Sequence, residues 1–335
     1  GTLGLIAAGF PPAQAAVLAQ DPAFNPLLPL QALQFIPRFV DIPNAAQDGK
    51  SKDDNIDYTA KISYAFNDAV NIYGGISTGF KATAWNISRN SLPNAEETAA
   101  LAAAGTPVGP NTGLGTRFAN PEEAEVIELG AKMYLPNGYL NIAYFDQKIK
   151  GFQSNTFIGT GFVLANAGSQ SADGFEFDLM ISPIENIDLA ISGLVMDPIY
   201  DSFPASAAGD LSGTVPSNIP EETFSTTATW NWSRGQYDGY VRLSHLYSSE
   251  VILSENPTWQ ALLDSKGNGR RKQDTFNFSA GIERGNFSLA LWGKNINDDE
   301  FLTTIFPAVA DPTSTSFFGY PNAFKSYGLT LNYMF

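Results

Sequence analysis

Cysteine is absent from the sequence, and histidine occurs once, at His245. The chain therefore has no disulfide framework, no thiolate nucleophile and no multi-histidine metal site. Charged residues make up only 16% of the 335 residues, against about 25% in a typical soluble domain. The net charge of −15 argues against a nucleic-acid partner, because binding phosphates requires a basic surface.

Long apolar runs are also missing, because no stretch reaches the roughly 18 residues that a membrane-spanning helix needs. Aromatic residues, in contrast, are plentiful at 13% of the sequence. A membrane β-barrel combines few charges with many aromatic residues and no long apolar run, since only alternate residues of each strand face lipid. A soluble all-β protein fits the same composition, so composition leaves both classes open.

The first residues form an apolar stretch that starts at Gly1 and superficially suggests a signal peptide, but it has no basic n-region. We therefore expect the chain to be an internal piece of a longer protein. Residues 1–54 are rich in Pro, Ala and Gln. This composition predicts a loop-like segment with one short helix over 13–20.

After residue 55, apolar and polar residues alternate with a period of two, which is typical of strands with two different faces. The alternation predicts eleven strands, at 57–67, 70–80, 124–135, 139–153, 164–182, 187–203, 222–233, 237–253, 272–284, 287–305 and 323–335. Most of them reach the roughly 9–11 residues that a tilted strand needs to cross a bilayer.

The connections between the predicted strands alternate strictly between short and long. The short ones have the Asn, Gly and Pro chemistry of tight turns and lie at 68–69, 136–138, 183–186, 234–236 and 285–286. The long ones lie at 81–123, 154–163, 204–221, 254–271 and 306–322. This asymmetry is typical of an outer-membrane barrel, with its short turns in the periplasm. Because single-chain bacterial barrels have an even number of strands, we expect preceding sequence to supply the rest.

Nine charged residues of the predicted strands lie on the parity opposite to the apolar one, on which charges are few: Lys61, Glu128, Lys132, Glu176, Asp178, Asp188, Arg242, Glu283 and Lys294. A Lys or Arg that faces lipid near the midplane costs about 2–4 kcal/mol, so this sorting predicts a polar lumen.

Ser244 and His245 are adjacent and point to opposite faces of a strand, which excludes a catalytic pair. Paired carboxylates lie at strand ends or in loops, where solvated charge is the simpler interpretation. We therefore expect neither an enzyme nor a bound cofactor or metal.

Six local patterns resemble, in order, the barrel of TonB-dependent outer-membrane receptors. Three of them are 70–86 (VNIYGGISTGFKATAWN), 122–132 (EEAEVIELGAK) and 291–301 (LWGKNINDDEF). The residues that match the family's patterns are Gly79, Phe80, Lys81, Glu128, Gly130, Lys132, Asn166, Gly168, Gly174, Glu176, Asn295 and Asp298, and the candidate barrel-assembly residue is Phe335. The resemblance covers about 55–335. Residues 1–54 match none of the patterns and look like an extracellular loop.

The resemblance implies an all-β fold, an antiparallel transmembrane β-barrel of about 22 strands of which this chain supplies roughly half, without the plug domain. It implies an uptake receptor in the outer membrane of a Gram-negative bacterium, surrounded by outer-membrane lipid. TonB, ExbB and ExbD would drive transport through an N-terminal plug that this sequence does not contain. The ligand would be a scarce, large nutrient, usually a ferric siderophore, haem, cobalamin or a glycan.

Ligand recognition is expected in the long loops and in the plug-facing lumen. The candidate loop residues are Phe80, Lys81, Trp85, Arg89, Arg117, Phe306, Phe317, Phe318 and Tyr320. Two other functions also fit the sequence: a passive porin or substrate-specific channel, and a soluble β-rich binding protein. A plug and a TonB box encoded upstream would favour the receptor, whereas expression without detergent would favour the soluble protein.

Overall fold

The computed structural model describes Leu5, 8–19, 21, 23–24, 50–85, Ala99, 118–157, 162–204, 206, 208–308 and 315–335. In chain order the strands are β1 (Thr59–Asn67), β2 (Val70–Lys81), β3 (Ala84–Trp85), β4 (Phe118–Ala119), β5 (Glu122–Leu135), β6 (Gly138–Lys150), β7 (Gln153–Phe157), β8 (Phe162–Asn166), β9 (Ser169–Ile184), β10 (Ile187–Ser202), β11 (Glu222–Arg234), β12 (Tyr237–Ile252), β13 (Arg270–Arg284), β14 (Phe287–Lys294), β15 (Leu302–Pro307), β16 (Phe317–Pro321) and β17 (Ser326–Tyr333). The helices are α1 (Pro12–Leu18) and α2 (Pro257–Ser265).

Eleven of these strands form one antiparallel sheet, in the order β1-β2-β5-β6-β9-β10-β11-β12-β13-β14-β17. Each strand of this sheet corresponds to one predicted strand, so the all-β, antiparallel prediction is confirmed. The other strands form three short hairpins, β3 with β4, β7 with β8 and β15 with β16. These hairpins lie inside the long connections, where the sequence predicted loops or the continuation of a neighbouring strand.

Three predicted strands were too long because left-handed or irregular residues end them early. The strand predicted over 139–153 stops at Lys150, before Gly151 with its φ of +67°. The strand predicted over 164–182 is divided into β8 and β9 at residues 167–168. The strand predicted over 287–305 ends at Lys294, because Asn295 (φ +50°) and Asp298 (φ +60°) adopt left-handed conformations that break the ladder.

The short connections within the main sheet are all two-residue turns, at 68–69, 136–137, 185–186, 235–236 and 285–286. Asn186, Gly235 and Gly285 have positive φ, as the tight turns of two-residue hairpins require. This end of the sheet therefore has only tight turns, and the long connections all lie at the opposite end.

The strand register confirms that the nine charged residues predicted to share a parity lie on one face of the sheet. Asp178, for example, is opposite Asn141 and Ser192, whereas its neighbour Phe177 is opposite Ile142 and Gly193. The other face carries apolar side chains with large exposed fractions, among them Ile62, Leu129, Phe175, Leu291 and Leu329. A continuous exposed apolar face is unfavourable in water and matches the hydrocarbon of a bilayer.

The main sheet has two edges among the described residues, because β1 pairs only with β2 and β17 pairs only with β14. Every residue of β1 is exposed. Within hydrocarbon, an unpaired backbone N–H or C=O costs several kcal/mol, so both edges require neighbours there.

Helix α1 coincides with the predicted helix at 13–20, and helix α2 lies within the long connection between β12 and β13. Asn256 caps α2, because its side-chain oxygen accepts hydrogen bonds from the backbone N–H groups of Thr258 (3.0 Å) and Trp259 (3.1 Å). Neither helix of the described ranges is both long and apolar enough to cross a membrane.

The two-faced sheet leads to a prediction about adjacent residues of β14. We predict that Leu291→Arg destabilises the protein by about 2–4 kcal/mol, because the new charge would face hydrocarbon. Ala290→Arg is the matched control, since its side chain shares the parity of Lys294. Urea unfolding in lipid bilayers measures both changes. Equal destabilisation by the two variants would contradict the assignment of the faces.

A second prediction concerns two glycines that both match the family's patterns. A Cβ atom at Gly174 would lie 2.2 Å from the Val195 carbonyl oxygen and 2.8 Å from Met196 Cα, whereas at Gly79 the nearest atom is Ala124 Cβ at 3.8 Å. Because the Gly174 contact is with backbone, we predict that Gly174→Ala costs about 1–3 kcal/mol. Gly79→Ala should stay within about 0.5 kcal/mol of the parent in the same unfolding assay. Similar values for the two variants would refute the close approach at Gly174.

Candidate functional site

The long connections pack against one another at one end of the sheet and form a small core of their own. Phe203 is completely buried there, with Ala167, Tyr200 and Leu211 beside it. The Tyr200 ring meets the Phe203 ring edge-on at 5.3 Å between centroids. The connections between β6 and β9 and between β10 and β11 are therefore held in fixed positions by apolar contacts.

A pocket of about 380 Å³ opens among four of these connections. This volume lies within the roughly 300–1,000 Å³ range of small-molecule sites. Its aromatic lining comes from β10 and from three of the connections: Phe152, Tyr200, Trp259, Phe306 and Phe317. Trp259 of α2 contacts Phe317 of β16 edge-on, with the ring centroids 6.5 Å apart. The pocket can therefore hold a flat or apolar group between aromatic walls.

Two polar side chains in this pocket, Tyr200 and Gln153, donate hydrogen bonds to other connections of the protein. The Tyr200 hydroxyl donates a hydrogen bond of 2.7 Å to Glu255 Oε1. Gln153 is 7% exposed, and its Nε2 donates to the carbonyl oxygens of Ala82 (2.8 Å) and Asn120 (2.9 Å).

The carbonyl oxygen of the Gln153 side chain has no hydrogen-bond partner in the described part of the protein. Because Nε2 faces two backbone carbonyls, exchanging the two amide atoms would place oxygen against oxygen. The orientation of the Gln153 amide is thus fixed, and its oxygen is a buried acceptor.

The polar face of the sheet forms a second concave space, of about 610 Å³, lined by residues such as Tyr73, Asn141, Glu176, Asp178 and Gln273. Tyr73 hydrogen bonds to Glu128, and Lys132 Nζ lies 5.7 Å from the centre of the Tyr73 ring. This surface is open and polar, as expected for a lumen wall.

The charges of the lumen wall are not paired with one another. The ion pairs within the described ranges are Lys81–Glu122, His245–Asp274, Arg270–Glu250, Arg270–Asp264 and Lys325–Asp298. None of them joins two of the nine charged residues on the polar face. Asp188 instead accepts hydrogen bonds from Ser182 and Asn231, and Arg242 donates to Thr229.

The loop residues predicted to bind ligand lie in several different places. Phe306 and Phe317 line the aromatic pocket, whereas Phe318 and Tyr320 are exposed and lie outside it. Lys81 Nζ is 3.3 Å from Glu122, and Trp85 packs on Phe118. Phe80 lies near the end of β2, opposite Glu123. Arg89 and Arg117 lie outside the described residues.

Sequence reasoning found only Phe306 and Phe317 of the pocket, and the residues that it missed include Phe152, Gln153, Tyr200, Glu255 and Trp259. These five belong to two connections and to β10, and only the fold brings them together. The one local signal was Asn256-Pro257, a helix-capping pair that predicts a short helix and hence an ordered connection at Trp259.

Several residues of the family's patterns hold strand ends together at the border of the loops. The Asn166 side chain donates to the carbonyl oxygens of Asn120 and Gly151 and accepts from Asn120 N–H. A Cβ atom at Gly168 would clash with Ser202 at 2.5 Å. These residues therefore fix the starts and ends of β5, β6 and β9.

The Asn295 side chain links backbone segments in a similar way at the end of β14. It is 4% exposed, and its side chain donates to the carbonyl oxygens of Asp299 (2.8 Å) and Ala323 (3.1 Å). It also accepts from Asp299 N–H at 2.7 Å. Asp298 has a weak ion pair with Lys325, at 3.9 Å. The geometry gives this motif a structural role beneath the loops.

Ser244 and His245 point to opposite faces, as predicted. Ser244 Oγ lies 3.1 Å from Thr227 Oγ1 on the polar face, and His245 Nε2 lies 2.7 Å from Asp274 Oδ1 on the apolar face. Within the ranges that the structure describes, no group of three or more His, Cys, Asp or Glu residues is placed to hold a metal ion.

Solved structures of three bacterial proteins share this fold. The ferric yersiniabactin uptake receptor FyuA from Yersinia pestis matches with a TM-score of 0.60 and 16% identity, over 82% of this chain and 36% of that one. The Ferric-Catecholate import receptor Fiu from K12 E. coli matches with a TM-score of 0.56 and 14% identity, over 83% of this chain and 35% of that one. The siderophore receptor PiuA from Acinetobacter baumannii matches with a TM-score of 0.55 and 18% identity, over 83% of this chain and 35% of that one. At these identities the likeness shows the fold alone, and the chain spans about a third of each.

Among curated protein sequences, none matches the chain. The family model described as "TonB dependent receptor-like, beta-barrel" matches residues 37–296, which is most of the sheet. The chain therefore belongs to the family of TonB-dependent receptor-like β-barrels.

Proposed function

We propose that this chain is the C-terminal part of the barrel of an outer-membrane TonB-dependent uptake receptor that imports a scarce nutrient such as a ferric siderophore. The proposal rests on one observation: the main sheet has an apolar face and, opposite to it, a polar face. An apolar face suits lipid, and a polar face ends at an aromatic pocket among the long connections. This arrangement suits the capture of a solute outside the cell and its passage along the wall, and no catalytic step is required.

The siderophore assignment is supported by the names of the structural neighbours. FyuA is a ferric yersiniabactin uptake receptor, Fiu imports ferric catecholate, and PiuA is a siderophore receptor. An aromatic pocket of about 380 Å³ is large enough for one arm of such an iron chelate.

The remaining strands of the barrel would pair with the open edges of β1 and β17. About eleven further strands would give the even total that single-chain bacterial barrels use. In this arrangement, residues 1–54 form an extracellular loop and residues 55–335 form the barrel wall. The hydrogen bonds of Asp53 with Thr83, and of Trp85 with Ser51, support the placement of this segment beside the long connections.

The unpaired charges of the lumen wall support an internal partner. Glu128, Glu176 and Asp178 share the polar face, where a plug domain inside the barrel would present complementary donors. Through that plug, TonB with ExbB and ExbD would supply the energy for transport. Outer-membrane lipid would cover the apolar face, and Phe335 would take part in barrel assembly.

The test is uptake of radioactive iron, supplied as different iron chelates, by cells that express the complete gene. We predict uptake of at least one chelate in cells with functional TonB and a fall of more than tenfold in otherwise identical cells that lack TonB. Cells without the receptor gene provide the background. Equal uptake with and without TonB would instead favour a passive channel and would refute the energy-coupled receptor.

A further inference from the structure

The charge of the aromatic pocket restricts the chemistry of its ligand. Among its described lining residues, Glu255 is the only acidic residue and none is Lys, Arg or His. Many iron chelates carry several negative charges, and a site for them needs cationic side chains or free N–H groups at a helix N-terminus. The N-terminus of α2 lies at the pocket, but Asn256 already accepts from its N–H groups at Thr258 and Trp259. A carboxylate in an aromatic pocket instead repels an anion and attracts a cation.

Two nearby cations, Lys266 just after α2 and Arg271 of β13, are already engaged elsewhere. Lys266 Nζ donates to the carbonyl oxygen of Thr315. Arg271 donates to the carbonyl oxygens of Thr303 (3.0 Å) and Asn218 (3.5 Å). Neither residue lines the pocket. The Glu255 carboxylate therefore has the neutral Tyr200 hydroxyl as its hydrogen-bond donor, and no cationic partner in the described ranges.

The walls of the pocket add a second indication. Its aromatic rings can contact a cation through their faces. Glu255 can accept a hydrogen bond from the same group. The pocket thus has the chemistry of a site for an N–H-bearing group on an apolar carrier.

From this juxtaposition we infer that the pocket binds a positively charged arm of the imported chelate, an ammonium group on an apolar chain, with Glu255 as its counter-ion. Trp259 and Phe317 enclose the apolar carrier. The pocket therefore favours cationic chelates over polyanionic ones. This inference rests on the proposed uptake function and names the charge class of its substrate.

Binding of three iron chelates to the complete receptor in detergent tests the inference. The probes are a ferric tris-hydroxamate with a pendant ammonium group, the same chelate after N-acetylation of that group, and a ferric tris-catecholate of charge −3. We predict that the ammonium chelate binds about tenfold more tightly than the acetylated one, as expected for a partly desolvated charge pair. The tris-catecholate should bind most weakly.

Substitutions in the pocket separate charge from shape. Glu255→Gln keeps an acceptor for the Tyr200 hydroxyl, so it should remove the tenfold preference for the ammonium chelate and leave affinity for the acetylated chelate within about twofold. Phe317→Ala should weaken both hydroxamates about tenfold through lost apolar contact. Phe318→Ala, at the adjacent exposed position, is the matched control and should change neither affinity.

Two results would overturn the inference: equal affinity of the ammonium and acetylated chelates, or a preference for the tris-catecholate. Failure of the proposed uptake function would look different, because no chelate would then show TonB-dependent uptake. TonB-dependent uptake of an anionic chelate, with unchanged affinity in Phe317→Ala, would keep the receptor function and reject this pocket as its site.

Discussion

Satisfaction of backbone hydrogen bonds in hydrocarbon is the constraint on which the rest of the structure depends. A strand in lipid can pair its N–H and C=O groups only with neighbouring strands, so the sheet must be continuous and antiparallel. The eleven-stranded sheet with its two-residue turns meets this requirement between its edges. Because successive side chains then point to opposite faces, a single strand can contact both lipid and a polar lumen. The charge sorting and the apolar face follow from that geometry.

The same geometry explains where recognition can occur. Tight turns leave no room for a site at one end of the sheet, so the long connections at the other end form the pocket. Clamps at Asn166 and Asn295 anchor the strand ends, and a small core around Phe203 fixes two of the connections. The Tyr200–Glu255 contact then joins β10 to the connection between β12 and β13, and the Trp259–Phe317 contact joins that connection to the one between β14 and β17. The pocket is thus a product of the barrel's connectivity and of local packing.

Periodicity was sufficient to predict the strands, because a face exposed to lipid and a face exposed to water impose the alternation directly on the sequence. It failed at Lys150, Ala167 and Lys294, where left-handed or irregular backbone ends a strand without interrupting the polar pattern. The pocket was only partly predictable. Phe306 and Phe317 were found as aromatic residues in a long loop, but Gln153 and Glu255 gained their significance from neighbours that are distant in sequence. The unsatisfied oxygen of Gln153 has no counterpart in any sequence pattern.

The central claim is that this sheet is a membrane wall with one face toward lipid and the other toward an aqueous lumen. The absence of cysteine from the chain allows single cysteines to be introduced one at a time along residues 127–132 of β5 and labelled in outer membranes. The account predicts that a water-soluble maleimide reacts at positions 128, 130 and 132, and that positions 127, 129 and 131 react only with a lipid-soluble reagent. Labelling by the water-soluble reagent at all six positions would contradict it.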